Sequence, residues 1–226
     1  MIIDPQTLCG DWSYPTAICF GPGRIAALAK ACRSVGITRP LLVTDSGLAA
    51  LPMVREAVAR NEEAGVPTAV FSDVQSNPVE RNVAGGLAAY RTGGHDGVIA
   101  MGGGSAMDTG KIIALMAGQE GALWDYEGTW QQISLGAIAP IVAVPTTAGT
   151  GSEVGRAAVI THEATRVKKI ILHPGMMPRA YRVRRLRDRV GRCSVWPAEA
   201  GSARKIAPAC HLELTCADCL PVAGAS

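Results

Sequence analysis

The 226-residue sequence has few aromatic rings: two Phe, four Tyr and four Trp. With 48% hydrophobic and 18% charged residues, it must build its core from Val, Ile, Leu and Ala. That composition suits a parallel sheet covered by helices on both faces. No stretch approaches the roughly 20 consecutive apolar residues needed to span a bilayer, so no helical membrane anchor is expected. The start, MIIDPQTLCG, lacks a basic cluster and an apolar run, which argues against a secretory leader. Seven irregularly spaced cysteines do not make a disulfide framework, and a reducing, cytoplasmic setting is expected. The length fits one large domain, or one domain and part of a second.

Charge is unevenly spread. Residues 1–178 hold 13 basic and 15 acidic side chains, whereas residues 179–226 hold nine basic and four acidic. The latter stretch has eight Arg, a single Lys and four of the seven cysteines. Two domains of unlike character are therefore expected, 1–178 and 179–226.

From Tyr14 to His173 short β-type runs alternate with helical patterns. PTAICF (15–20), LLVTD (41–45), TAVFSDV (68–74), GVIAM (97–101) and PIVAVPTT (140–147) read as strands. Residues 24–35, Leu48–Ala64, Pro78–Arg91 and 105–117 read as helices, with Gly65 and Gly93-Gly94 as stops. Two more β-type runs, AAVIT (157–161) and KKIIL (168–172), follow. Strand–helix repeats with short glycine-bearing turns predict an α/β domain with a doubly wound, mostly parallel sheet.

The sharpest chemical signal is GGGSAMDTGK, residues 102–111, directly after a buried strand. Glycines let a ligand approach the backbone, and the N–H groups of a helix start attract an anion. Ser105 is positioned to cap the helix, with Asp108 completing a capping box. The spacing is not that of a P-loop: five residues separate Gly104 from Gly110, and Ile112 stands where Ser or Thr would hold magnesium. A ligand-free strand–helix turn is the plain alternative. A second turn, PTTAGTGSE (145–153), offers the hydroxyls of Thr146, Thr147, Thr150 and Ser152 and the open backbone of Gly149 and Gly151. Two such turns at neighbouring strand ends would line a dinucleotide; a hydroxyl-rich surface loop is the alternative.

GGGSAMDTGK and PTTAGTGSEV together resemble the paired signature of iron-containing (group III) alcohol dehydrogenases. The resemblance runs from about Tyr14 to Pro178 and includes FGPGR (20–24), LLVTDSGL (41–48), Asn77-Pro78 and KKIILHPGMMP (168–178). It implies a Rossmann-like, dehydroquinate synthase-like N-terminal domain that binds NAD. It implies that Asp45 bonds the adenine ribose and disfavours a 2′-phosphate. Gly102, Gly103, Gly104 and Ser105 match the pyrophosphate cradle, and Asp108 lies in the same motif. Thr146, Thr147 and Thr150 match threonines around the cofactor, and Asn77 and Lys169 match other cofactor-side positions. His95 and His162 match no ligand position and read as surface histidines. The implied reaction is hydride transfer between a small primary alcohol or diol and NAD, giving the aldehyde. Family members are often dimers or larger.

The family reaction uses Fe²⁺ or Zn²⁺ held by one Asp and three His, the first two as an Asp-x-x-x-His pair. After Pro178 this sequence has one His, His211, and no such pair, so no metal site and no independent dehydrogenase activity are expected. The Arg-rich stretch from 179 has the composition of GC-rich DNA read out of frame, and a frameshifted, disordered, non-family tail is the leading expectation. Two alternatives concern that tail. Arg182, Arg185, Arg189 and Arg192 share a helical face that would suit nucleic acid or acidic lipid, but no motif fold accompanies them, so nucleic acid is not an expected partner. Cys210, His211, Cys216 and Cys219 offer zinc donors at poor spacing.

Overall fold

Short apolar runs closed by glycine or proline turns form the strands. The computed structural model describes residues 16–21, 23–128, 130–147, 149–184, 186–187 and 193–194, all within one compact unit, Met1–Trp196. β1 (Ala17–Gly21) leads through a 3-10 turn (Arg24–Ala27) into α1 (Leu28–Ser34). β2 (Pro40–Val43) is followed by α2 (Ser46–Ala49) and α3 (Pro52–Glu63), and β3 (Ala69–Phe71) by α4 (Glu80–Thr92). β4 (Gly97–Gly102) runs into α5 (Gly104–Met116). Three 3-10 turns then precede β5 (Ile141–Pro145), and β6 (Ala157–Thr161), β7 (Lys168–Leu172) and β8 (Ala180–Arg184) follow, with a short antiparallel pair, β9 (Leu186–Arg187) and β10 (Cys193–Ser194), after them.

Six strands make one parallel sheet in the order β1-β8-β5-β4-β2-β3. Alternation along the strands feeds two cores. Leu42, Ile99, Met101, Val142 and Val144 pack with α1 and α3 residues such as Leu28, Cys32 and Val54. Leu41, Val43, Val98, Ala100, Ile141 and Ala143 pack with Tyr90, Met107 and Ile113 of α4 and α5. Successive side chains on a strand point to opposite faces, so eight apolar residues on β4 and β5 serve both layers. This is the doubly wound, Rossmann-like α/β fold expected.

α5 is the centre of the domain. Ile112, Ile113 and Leu115 are fully buried, each contributing about 1.5–3 kcal/mol. Its outer face is covered by Ala158, Ile160 and Ile171 from β6 and β7, and by Tyr126, Ile133 and Ile138 from the preceding turns. A helix buried over most of its length is enclosed in this way, its Asp108 and Lys111 finding polar partners inside the domain.

Several elements differ from the sequence reading. The single helix expected over Leu48–Ala64 is two, because Pro52 has no N–H to continue the ladder and stands at the start of α3. Strand β3 is shorter than residues 68–74, pairing with β2 only at Ala69–Phe71. β6 and β7 form a separate antiparallel hairpin and do not enter the main sheet. The sheet continues past residue 178, because β8 pairs with both β1 and β5. Arg182 lies on β8, so the helical arginine face is not formed at its first member; Arg185, Arg189 and Arg192 lie outside the described residues. The Cys210–Cys219 donors also lie outside them. Among the described residues, no helix is long and apolar enough to cross a membrane.

Candidate functional site

The chain runs outward from β2 to β3, then returns to β4 on the other side of β2. The strand order therefore reverses between β2 and β4, and a crevice opens at their carboxyl ends. Ligands of open α/β sheets bind at such a point. Here the crevice is a cavity of about 560 Å³, within the range of roughly 300–1,000 Å³ usual for small-molecule sites.

Its floor is the start of α5. Gly102 has φ of +146°, a conformation open to glycine and closed to most other residues. Gly103 is the N-cap, and Gly104, Ser105 and Ala106 follow in the first turn. Their N–H groups have no acceptor within the helix, so this end carries partial positive charge toward the cavity. No side chain caps the helix. The expected Ser105–Asp108 capping box is thus absent: Ser105 is already inside the helix, and Asp108 turns to other partners.

The second turn lies directly over the first. The Thr146 N–H donates to the Gly102 carbonyl at 3.0 Å. A Cβ added to Gly103 would stand 3.0 Å from Thr147 Oγ1, and one added to Gly104 would stand 2.8 Å from Thr150 Cγ2. The glycines are thus the condition for the two turns to meet.

Asp45 follows β2 across the crevice. Its Oδ1 accepts from the Leu48 N–H at 2.8 Å and so caps α2. The other oxygen faces Gly102, 3.7 Å from where a Cβ would be. Of the sequence-selected residues, Asp45, Gly103, Gly104, Ser105, Thr146 and Thr147 line the cavity. Gly102 and Thr150 are not among the lining residues, but Thr150 packs against Gly104 and Gly102 faces Asp45 and Leu48. Ser46, Leu48, Leu51, Val74, Gln75, Ser76 and Ala106 line it too; no residue-type signal marked them as a group.

Three selected residues lie elsewhere. Asn77 is exposed with φ of +54°, a turn conformation that Asn tolerates, while its neighbours Gln75 and Ser76 face the cavity. Lys169, on β7, pairs with Glu127 at 2.5 Å and lies 5.1 Å from the Trp124 ring centroid. Asp108 points away from the cavity: its Oδ1 accepts from the Ser152 hydroxyl at 2.6 Å and its Oδ2 from the Val159 N–H at 3.0 Å. Burial raises its carboxyl above the usual range, against the opposing pull of the Ser152 hydroxyl, the Val159 N–H and Lys111.

Lys111, which the sequence reading left without a role, is fully buried beside this group. Its ammonium donates to Ser152 Oγ at 2.7 Å and to the Ala157 carbonyl at 2.9 Å. Burial lowers its pKa to about 8 despite the nearby carboxylates of Asp108 and Glu153. Desolvation thus outweighs attraction at both ends of the pair.

His162 is not a free surface residue. It packs on Trp124 with ring centroids 5.2 Å apart and lies 3.5 Å from Glu80. His95 contacts the Arg39 carbonyl at 3.0 Å. Among the described residues, no group of three or more His, Cys, Asp or Glu side chains could hold a metal ion. The residues described therefore do not fit the family's metal.

The iron-containing alcohol dehydrogenase family model matches residues 15–183. The chain belongs to that family. The match ends within β8, beyond residue 178. The chain is 45% identical to 4-hydroxybutyrate dehydrogenase of Cupriavidus necator over 150 residues, which is 65% of this chain and 38% of that protein. It is 40% identical to 1,3-propanediol dehydrogenase of Klebsiella pneumoniae over 164 residues, 72% of this chain and 42% of the other. The fold agrees with the crystal structure of a 1,3-propanediol oxidoreductase at a TM-score of 0.71 and 38% identity, covering 76% of this chain and 44% of that one. Sulfoacetaldehyde reductase from Bifidobacterium kashiwanohense, solved in complex with NAD⁺, matches at a TM-score of 0.70 and 30% identity, over 78% of this chain and 46% of its own. The chain thus spans about two-fifths of the length of the curated relatives it matches.

Proposed function

We propose that the cavity binds NAD and that the chain supplies the nucleotide-binding part of an alcohol–aldehyde oxidoreductase. The observation that carries this reading is the contact of the two turns, Gly103 against Thr147 and Gly104 against Thr150, at the carboxyl ends of adjacent strands. The α5 N-terminus receives the pyrophosphate on its backbone N–H groups. Asp45 accepts from the ribose 2′-hydroxyl through the oxygen that does not cap α2, and repels a 2′-phosphate. Leu48, Leu51 and Val74 give the adenine an apolar seat, with Gln75 and Ser76 at its edge. Thr146 and Thr147 extend the site toward the nicotinamide, which when bound accepts or returns the hydride.

The relatives named above act on 4-hydroxybutyrate, 1,3-propanediol and sulfoacetaldehyde, which supports a small primary alcohol, diol or aldehyde as the substrate class. In the proposed reaction the alcohol carbon loses a hydride to the nicotinamide and the hydroxyl loses a proton, leaving an aldehyde. The two dehydrogenases are more than twice as long as the matched segment. From residue 179 on, this sequence holds one His, His211, and no Asp-x-x-x-His pair. The chain by itself is therefore proposed to bind nucleotide without oxidising alcohol. The test is titration of the purified chain with NADH and NADPH, followed by nicotinamide fluorescence. Saturable binding that prefers NADH supports the reading, and no saturable binding of either defeats it.

A further inference from the structure

We propose that Lys111 is a positioning residue: with Asp108 it fastens the threonine turn over the dinucleotide cleft through the hydroxyl of Ser152. The role rests on the nucleotide-site reading, but its geometry is independent of it. The turn leaves β5 at Thr146, held by the Gly102 carbonyl, and its next fixed point is Ser152. There the hydroxyl donates to Asp108 Oδ1 and accepts from the Lys111 ammonium, so both of its hydrogen-bonding roles are used by α5. Lys111 also holds the Ala157 carbonyl, and Asp108 the Val159 N–H, which locks the start of β6 to the same helix. Two side-chain bonds thus tie one end of the turn, and two more the start of β6, to the helix whose N-terminus forms the cleft floor. Thr147 and Thr150 lie between the two fixed points, against Gly103 and Gly104.

A buried ammonium is an expensive way to fill space. Met has similar volume and no charge to desolvate, so packing alone does not call for Lys here. What Lys111 adds is direction. Its donors fix where Ser152 and Ala157 stand, and a flexible apolar chain would leave both free to shift. The charged groups facing it are Asp108 from its own helix and Glu153 from the turn.

The experiment compares the full chain with Lys111→Met and with Asp108→Leu/Lys111→Met, which removes both charges. Three quantities are read: amide exchange over residues 146–155, melting temperature, and NADH affinity. In Lys111→Met, exchange over 146–155 should rise and NADH affinity fall at least about tenfold, the effect of losing a charged hydrogen bond. Exchange in β4 should not change. In the double variant the melting temperature should recover, while the turn stays loose and affinity stays weak. Unchanged exchange over 146–155 in a folded Lys111→Met overturns the proposal, as does recovery of affinity together with melting temperature. If the unaltered chain binds no NADH, the nucleotide reading fails, and the exchange comparison alone decides the role of Lys111. Should Lys111→Met not fold, Ser152→Ala carries the same comparison.

Discussion

The two turns that meet over the cleft are built in opposite ways. The turn after β4 needs little beyond missing side chains: Gly102 takes a φ of +146°, and Gly103 and Gly104 leave room for their neighbours. The turn after β5 is longer and rich in hydroxyls, and its far end is held by charged groups inside the domain. One is local, readable from three adjacent letters. The other depends on Lys111, 41 residues before Ser152 in the chain. A close approach to phosphate can thus be written in a short run, whereas the placement of a polar loop needs distant partners.

The sharpest way to break this arrangement is Gly104→Val. The new Cβ would lie 2.8 Å from Thr150 Cγ2, and the turns would separate. NADH affinity is expected to fall at least about 100-fold, with the sheet intact by circular dichroism, because overpacking displaces both turns at once. Lys111→Met comes next and acts on stability. It removes the ammonium's hydrogen bonds to Ser152 and the Ala157 carbonyl, and this loss is partly offset by relief of the cost of burying the charge, so unfolding free energy should fall by about 1–3 kcal/mol in urea denaturation. A loss below about 1 kcal/mol would mean the pair is held loosely.

Asp45→Gly sharpens the comparison from across the crevice. Removing the carboxylate should shift the NADPH-to-NADH affinity ratio by about tenfold toward NADPH, measured by paired titrations. An unchanged ratio would remove Asp45 from the ribose site.

A pH series isolates the buried cation. The folded-state pKa of Lys111 is about 8, below its ordinary value of 10.5. Below pH 8 both folded and unfolded chains carry the proton, and the penalty of burying the charge is fully present. Between about 8 and 10.5 the unfolded chain binds more protons, so stability rises with pH by on the order of 3 kcal/mol. The melting temperature of the unaltered chain should therefore rise over that window relative to Lys111→Met. Parallel curves would show that Lys111 does not titrate there. The smallest effect is expected from Lys169→Ala. Its pair with Glu127 is partly exposed and away from the cavity, so stability should change by less than about 1 kcal/mol and affinity not at all.

Much of the fold was legible because its signals are local. Buried runs such as GVIAM and PIVAV are alternately packed on two cores, and Gly65 closes α3 with a φ of +73°. The split at Pro52 was also written in the sequence, but the helical periodicity on both sides masked it. The edge position of β3, the separate β6–β7 hairpin and the insertion of β8 between β1 and β5 are properties of strand pairing, which short apolar runs do not encode. In the site, the glycines and Thr146, Thr147 and Asp45 were legible from their motifs. Leu51 and the run Val74, Gln75 and Ser76 come from two different segments and meet only once the sheet is formed. Lys111 was hidden for another reason: in a linear reading a lysine on a helix belongs on the surface, and only the fold encloses it.

The cleft between β2 and β4 is proposed to bind a dinucleotide on the paired turns. This is tested most directly by titrating the chain and its Gly104→Val variant with NADH under the same conditions. Saturable binding to the chain, lost in a variant that remains folded, is the expected result. Binding of equal strength in both, or in neither, would contradict it.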